Sequence, residues 1–197
     1  MSKVRAAVFQ KSKKGNYTCG DSYFFQETED GYICMIADGL GSGQMAKESS
    51  QLAIDVVKAS PSAEPETIIS DINSALVGKR GVVIGVLKLN YKEASYSFMS
   101  VGNIGLLAIN DQHEKYRYIS NAGYLAGYQR SFKLEHKALE TDMNFIMFSD
   151  GVTERELSQD YMKNKSVEDI VTLYRHLSDE PRKDDTTLVA LHYSTEA

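Results

Sequence analysis

Four aspartates stand where apolar patterning places the ends of strands. Asp38 follows directly on the apolar run Gly31–Ala37, and Asp150 comes one residue after Asn144–Phe148. Asp184, with Asp185 beside it, stands just before Thr187–Tyr193, and Asp21 follows Gly20 at the start of another strand. Asp is a short side chain, which makes it a well-defined ligand and also a common turn residue. For a single Asp the turn reading is open. Asp38, Asp150 and Asp184 together, each beside Gly or Asp at a strand end, point to one carboxylate-lined site. Carboxylates brought close cannot all stay ionised without a cation. Oxygen donors without convergent His or Cys suit Mg²⁺ or Mn²⁺ better than Zn²⁺. His113, His136, His176 and His192 are isolated and form no metal-binding spacing. Cys19 and Cys34 form no Cys-x-x-Cys and have no His nearby in sequence, so no thiol nucleophile is expected.

A second feature adjoins Asp38. The stretch Asp38-Gly39-Leu40-Gly41-Ser42-Gly43 joins a strand to a helix. Alternating glycines let backbone approach a ligand closely, and a helix N-terminus offers free N–H groups to an anion. A dinucleotide loop fails here, because Gln44 occupies the third glycine position of Gly-x-Gly-x-x-Gly. No Walker-type Lys-Ser/Thr follows either.

The elements that must carry these residues can be read from periodicity. Strands are expected at Val4–Gln10, Asp21–Glu27, Gly31–Ala37, Val82–Leu89, Ser95–Val101, Ile104–Ile109, Lys115–Ile119, Phe132–His136, Asn144–Phe148 and Thr187–Tyr193. The close spacing of Val82–Leu89, Ser95–Val101 and Ile104–Ile109 predicts an antiparallel meander. Gly31–Ala37 is apolar throughout, as a strand covered on both faces would be. Helical stripes run through Ser42–Ala59, Ile68–Leu76 and Val167–Leu177, the last opened by the capping pattern Ser166-x-x-Asp169. Thr153-x-x-Glu156 makes a similar start. Two sheets packed face to face, each with a helix pair outside, would bury every stripe. That is an α+β, four-layer αββα sandwich.

Composition narrows the function classes. At 197 residues the chain suits one domain, residues 1–197, and 42% hydrophobic content with 25% charge excludes a disordered chain. A net charge of −5, with scattered basic residues, argues against nucleic acid. No apolar run has membrane-spanning length and the N-terminus has no signal-peptide pattern, so a cytoplasmic protein is expected.

From Gly20-Asp21-Ser22 to Asp184-Asp185-Thr186-Thr187 the chain resembles the metal-dependent PPM (type 2C) protein serine/threonine phosphatases, in their SpoIIE-like branch. Asp38-Gly39, Ser149-Asp150-Gly151, Asp184-Asp185-x-Thr187 and the turn Ser100-Val101-Gly102-Asn103 carry the likeness. The resemblance implies catalytic carboxylates at Asp38, Asp150 and Asp184. It implies two Mn²⁺ or Mg²⁺ ions held by Asp21, Asp38, the Gly39 carbonyl, Asp150 and Asp184. Within the branch it further implies a phosphatase of phosphorylated STAS-domain stressosome proteins, opposing the sigma-B stress response, and a monomer is expected. Three positions depart from larger relatives: no Arg precedes the first acidic motif, Leu40 replaces a His after the Asp-Gly, and Gly20 replaces a Glu. The residue that binds phosphate is thus not marked. Arg80, Lys79, Lys183 and Lys47 are the candidates. The alternative is a phosphoprotein-binding module with a degraded site.

Overall fold

Side chains alternate along a strand, so an apolar strand with no polar face must be covered twice. In a computed structural model, which describes residues 2–118, 121–128, 132–164, 166–178 and 181–195, the third strand is covered in this way. This strand, β3 (Gly31–Gly39), lies between β2 (Asp21–Thr28) and β4 (Val82–Asn90), antiparallel to both. Ile33, Met35 and Ala37 face a helical layer, while Cys34 and Ile36 face a second sheet.

The first sheet continues through β5 (Ser95–Val101) to β8 (Glu135–Ala138) in the order β2-β3-β4-β5-β8. The second contains β1 (Val4–Lys11), β6 (Gly105–Ile109), β7 (Lys115–Arg117), β9 (Met143–Phe148) and β10 (Thr186–Tyr193), ordered β1-β10-β9-β6-β7. Ile119, expected in the β7 strand, lies outside the described residues. Every strand pair within the two sheets is antiparallel.

The helices α1 (Gln44–Ala59) and α2 (Pro65–Ala75) bury Ala53, Ile54, Val57, Ile68, Ile69 and Ile72 on the first sheet. Pro65 opens α2 at a position where its missing N–H costs nothing. On the second sheet, α4 (Val167–Leu177) buries Val167, Ile170, Val171 and Tyr174. Ser166 caps α4 by accepting from the Asp169 N–H. Thr153 and Glu156 form a capping box, yet the helix they open, α3 (Glu154–Leu157), lasts one turn and gives way to a 3-10 turn at Asp160–Lys163. The architecture is the α+β αββα sandwich, with a thinner outer layer on the second sheet.

Two expectations are corrected. The predicted meander breaks after its second strand: β4 pairs with β5, but β6 joins the opposite sheet beside β9. The chain crosses at Gly102, whose φ of 96° an L side chain rarely adopts, and Ile104 drops into the core between the sheets. The strand expected at Phe132–His136 forms at Glu135–Ala138, because Phe132 and Leu134 are drawn instead against the α1–α2 core.

Between the sheets lies the largest core, in which Phe145 is fully buried with its ring edge-on to Tyr96 at 4.9 Å. Truncation there leaves a cavity that neither sheet can collapse to fill. Phe145→Ala is expected to cost about 3–5 kcal/mol, read as a lowered urea midpoint with an unchanged slope. A wild-type midpoint would contradict this packing.

Candidate functional site

The register of β2 and β3 sets Asp21 directly opposite Asp38 at one end of the first sheet. In the second sheet, pairing of β9 with β10 carries on past Phe148 as a Ser149 N–H bond to the Thr187 carbonyl at 3.0 Å. Asp150 and Asp184 therefore emerge together from that sheet's end. The sandwich brings the two ends to one cleft: Asp21, Asp150, Asp184 and Asp185 all act electrostatically on Asp38.

One carboxylate ties the sheets together. Asp21 is fully buried, and its Oδ2 accepts hydrogen bonds from Ser149 Oγ and Thr187 Oγ1, each at 2.7 Å. Ser149 Oγ in turn accepts from the Thr187 N–H at 2.9 Å. Gln10 Nε2 donates to both the Asp21 carbonyl and Thr187 Oγ1. Asp21 Oδ1 is buried with no hydrogen-bond partner among the described residues. A buried carboxylate oxygen left in this way calls for a counter-charge.

Asp150 Oδ2 accepts from Asn103 Nδ2 at 2.6 Å, so the β5–β6 crossover orients this carboxylate. Asp184 is half exposed, with Lys13 Nζ 3.7 Å from its Oδ1. Asp185 has a different role from its neighbour. Its two oxygens accept from the Lys13 and Gly20 backbone N–H groups, both at 2.8 Å, and it fastens the residue 12–20 loop. Sequence reasoning missed the roles of Ser149, Thr187, Asn103 and Asp185. The first, second and fourth lie inside the motifs and Asn103 ends the strand-turn signature, but only the fold shows what each one holds.

Close packing explains both Asp-Gly pairs. A Cβ on Gly39 would lie 1.9 Å from the Ala46 carbonyl of α1, and one on Gly151 would lie 2.2 Å from Thr186 Oγ1. The Gly20 departure has a similar cause, since a Cβ there would press on Asp185 Oδ2 at 2.8 Å. Leu40, in place of a His, packs inward against the inter-sheet core.

The carboxylates share a cleft without meeting at a point. Among the described residues, no three His, Cys, Asp or Glu side chains are grouped closely enough to chelate a cation as they stand. The donor chemistry is nonetheless all oxygen, which fits a hard divalent ion. The thiols are not candidates for chemistry: burial pushes Cys19 up to about 12, and Cys34 higher still. Of the basic candidates, Lys47 is occupied, its Nζ donating to the Asp21 carbonyl at 2.8 Å and to Ser22 Oγ at 2.9 Å. Lys79, Arg80 and Lys183 are exposed.

Comparison with known proteins identifies the family and the fold. Residues 28–194 match the family described as Stage II sporulation protein E (SpoIIE), to which the chain belongs. It is a phosphatase of the PP2C (PPM) class. Its particular likeness is to phosphoserine phosphatase RsbX of Bacillus subtilis, 33% identical over 94% of this chain and 93% of RsbX. The crystal structure of RsbX in complex with magnesium superposes with a TM-score of 0.87 at 31% identity, covering 97% of this chain and 96% of that one. A chain from work on the bacterial stressosome matches with a TM-score of 0.86 at 21% identity over 97% and 100% of the two chains. The PstP catalytic domain with two manganese ions shares the fold at 14% identity, with a TM-score of 0.80 over 97% and 98%.

The carboxylate cluster makes stability depend on pH. Burial, followed by the charges of Asp21, Asp150, Asp184 and Asp185, pushes Asp38 up to about 8. Burial also raises Asp21 to about 6, against the opposing bonds from Thr187 and Ser149. The ordinary Asp value is 3.8, so at intermediate pH the folded chain holds protons that the unfolded chain has released. For these two groups, stability is undiminished below the unfolded value. It falls as pH rises, through about 6 for Asp21 and about 8 for Asp38. The metal-free protein should therefore show a thermal midpoint that declines from pH 5 to pH 8. Mn²⁺ should raise that midpoint more at pH 8 than at pH 5, and an equal rise at both would refute the cluster's role.

Proposed function

We propose that this chain removes phosphate from phosphoserine or phosphothreonine in STAS-domain stressosome proteins, and so restrains the sigma-B general stress response. The observation that carries the reading is the cleft where Asp21 and Asp38 of one sheet face Asp150 and Asp184 of the other. In this reading Asp38, Asp150, Asp184, the Gly39 carbonyl and Asp21 hold two Mn²⁺ or Mg²⁺ ions. The unpartnered Asp21 Oδ1 supports such a ligand set. The phosphoprotein substrate rests on likeness to a named phosphoserine phosphatase and to a stressosome-associated fold. Residues 1–197 act as one phosphatase domain, monomeric and cytoplasmic, without a nucleic-acid or membrane partner. Among the described residues no helix is long and apolar enough to cross a membrane.

Divalent cations in such a cleft supply Lewis-acid charge to phosphoryl oxygens and make a water more acidic. The chain's own residues fix where that happens. Ser149 and Thr187 hold Asp21, and so hold one sheet end against the other. Asn103 sets the rotation of Asp150, and Lys13 offsets part of the charge on Asp184. Leu40 packs against the core and carries no proton, so it does not protonate the leaving serine or threonine oxygen.

The purified chain should release phosphate from a phosphorylated STAS-domain protein in Mn²⁺, and a chelator should stop it. Asp38→Asn is expected to stay folded and lose at least about a hundredfold in kcat, the scale for one electrostatic group at a reacting centre. Wild-type rates in a folded Asp38→Asn protein would sink the assignment. Phosphoprotein binding without any release would instead leave a binding module.

A further inference from the structure

A phosphomonoester is a dianion, and the cleft it must enter is lined with carboxylates. Divalent cations held there would offset part of that charge, and a basic group of this chain facing the substrate would add directional hydrogen bonds to its oxygens. Three of the nearby cations are already committed. Lys47 donates to the Asp21 carbonyl and Ser22, and Lys13 leans on Asp184. Arg182 is 9% exposed, pairs with Glu156 Oε1 at 2.9 Å and donates to Tyr174 OH. No side-chain bond among the described residues seats Lys79 or Lys183.

Arg80 is different. β4 pairs Val83 with Asp38 and Val82 with Gly39, and the Leu40 N–H continues the ladder onto the Gly81 carbonyl at 2.9 Å. Arg80 therefore extends this edge just past the cleft end of the sheet, beside the turn that carries Asp38. Its guanidinium lies on that turn, with Nη1 donating a long 3.4 Å bond to the Leu40 carbonyl. A Cβ on Gly41 would come within 2.6 Å of the same Nη1, so the bare glycine makes the seat. A Cβ on the adjoining Gly81 would lie 2.5 Å from the Tyr124 ring, so this glycine too is closely covered. Arg80 is exposed, and no acidic side chain pairs with it among the described residues. A guanidinium has five N–H donors in a planar fork that matches phosphoryl oxygens. Here one donor rests on backbone and the rest are available.

We propose that Arg80 binds the phosphoryl oxygens of the substrate at the rim of the cleft. The proposal rests on the phosphatase reading, and its test separates the two. With the full chain in Mn²⁺, 4-nitrophenyl phosphate and a phosphoserine peptide serve as substrates and inorganic phosphate as competitor. Arg80→Ala should raise KM and the phosphate inhibition constant about ten- to a hundredfold, the range for a lost charge-assisted bond. It should change kcat less and leave the thermal midpoint unmoved, since the side chain is exposed. Arg80→Lys should recover part of the loss, keeping charge without the fork. Calorimetric titration of inorganic phosphate into the Mn²⁺-loaded chain should give the same order without turnover. Unchanged KM and unchanged phosphate affinity in Arg80→Ala would overturn the proposal while hydrolysis dependent on Asp38 stood. A wild-type chain that hydrolyses neither substrate would overturn the phosphatase reading, and the titration would still decide Arg80.

Discussion

A single buried carboxylate, Asp21, couples the two halves of the molecule. It takes two hydroxyl hydrogen bonds from residues of the opposite sheet, Ser149 and Thr187, while its own backbone carbonyl is held by Lys47 and Gln10. A buried charge with a missing partner costs several kcal/mol, so this corner of the sandwich tolerates little sliding of one sheet over the other. The positions of Asp38, Asp150 and Asp184 follow from it. Asp38 is fixed by its pairing opposite Asp21, Asp150 follows Ser149, and Asp184 precedes Thr187 by three residues.

Around this corner the backbone is packed unusually close. α1 sits on Gly39 so tightly that no side chain fits, and the β10 entry sits on Gly151 in the same way. Strand ends and a helix start are thereby pressed into the wall of one cleft. The opposing cost is electrostatic. Burial and the charges of the neighbouring aspartates raise the proton affinity of Asp38, so the site is destabilising by itself near neutral pH. Three extensive apolar clusters, one between the sheets and one under each helical layer, offset that cost. The division is common where chemistry is done: a core supplies stability that a strained or charged site gives up.

The departures from larger relatives have physical causes in this chain. Gly20 is small because Asp185 closes on its N–H. Leu40 is apolar because its position packs against the core between the sheets. The Asp185 clamp also keeps the residue 12–20 loop near the cleft, which brings Lys13 to Asp184. Compactness thus reassigns several positions from chemistry to packing.

Much of this was legible in the sequence. The apolar run Gly31–Ala37 declared a strand buried on both faces, and the stripes of α1, α2 and α4 declared helices on sheets, because burial imposes periods of two and 3.6. The aspartates marked the site only together, since each alone also reads as a turn residue and it was their recurrence at strand ends that pointed to one cleft. Other features had no local signal. Nothing in Ser100–Ile104 says that β6 leaves β5 for the other sheet; a hairpin and a crossover use the same turn residues, and only burial of Ile104 decides. Phe132 and Leu134 read as strand by propensity and were taken by the α1–α2 core. The split between Asp184, which faces the cleft, and Asp185, which clamps a loop, depends on backbone N–H groups 165 and 172 residues away. By itself the sequence determined which residues are apolar, which are acidic and how they repeat. The tertiary structure decided which acids share a cleft and which basic side chains are already held by other groups, because those are contacts between residues far apart in the chain.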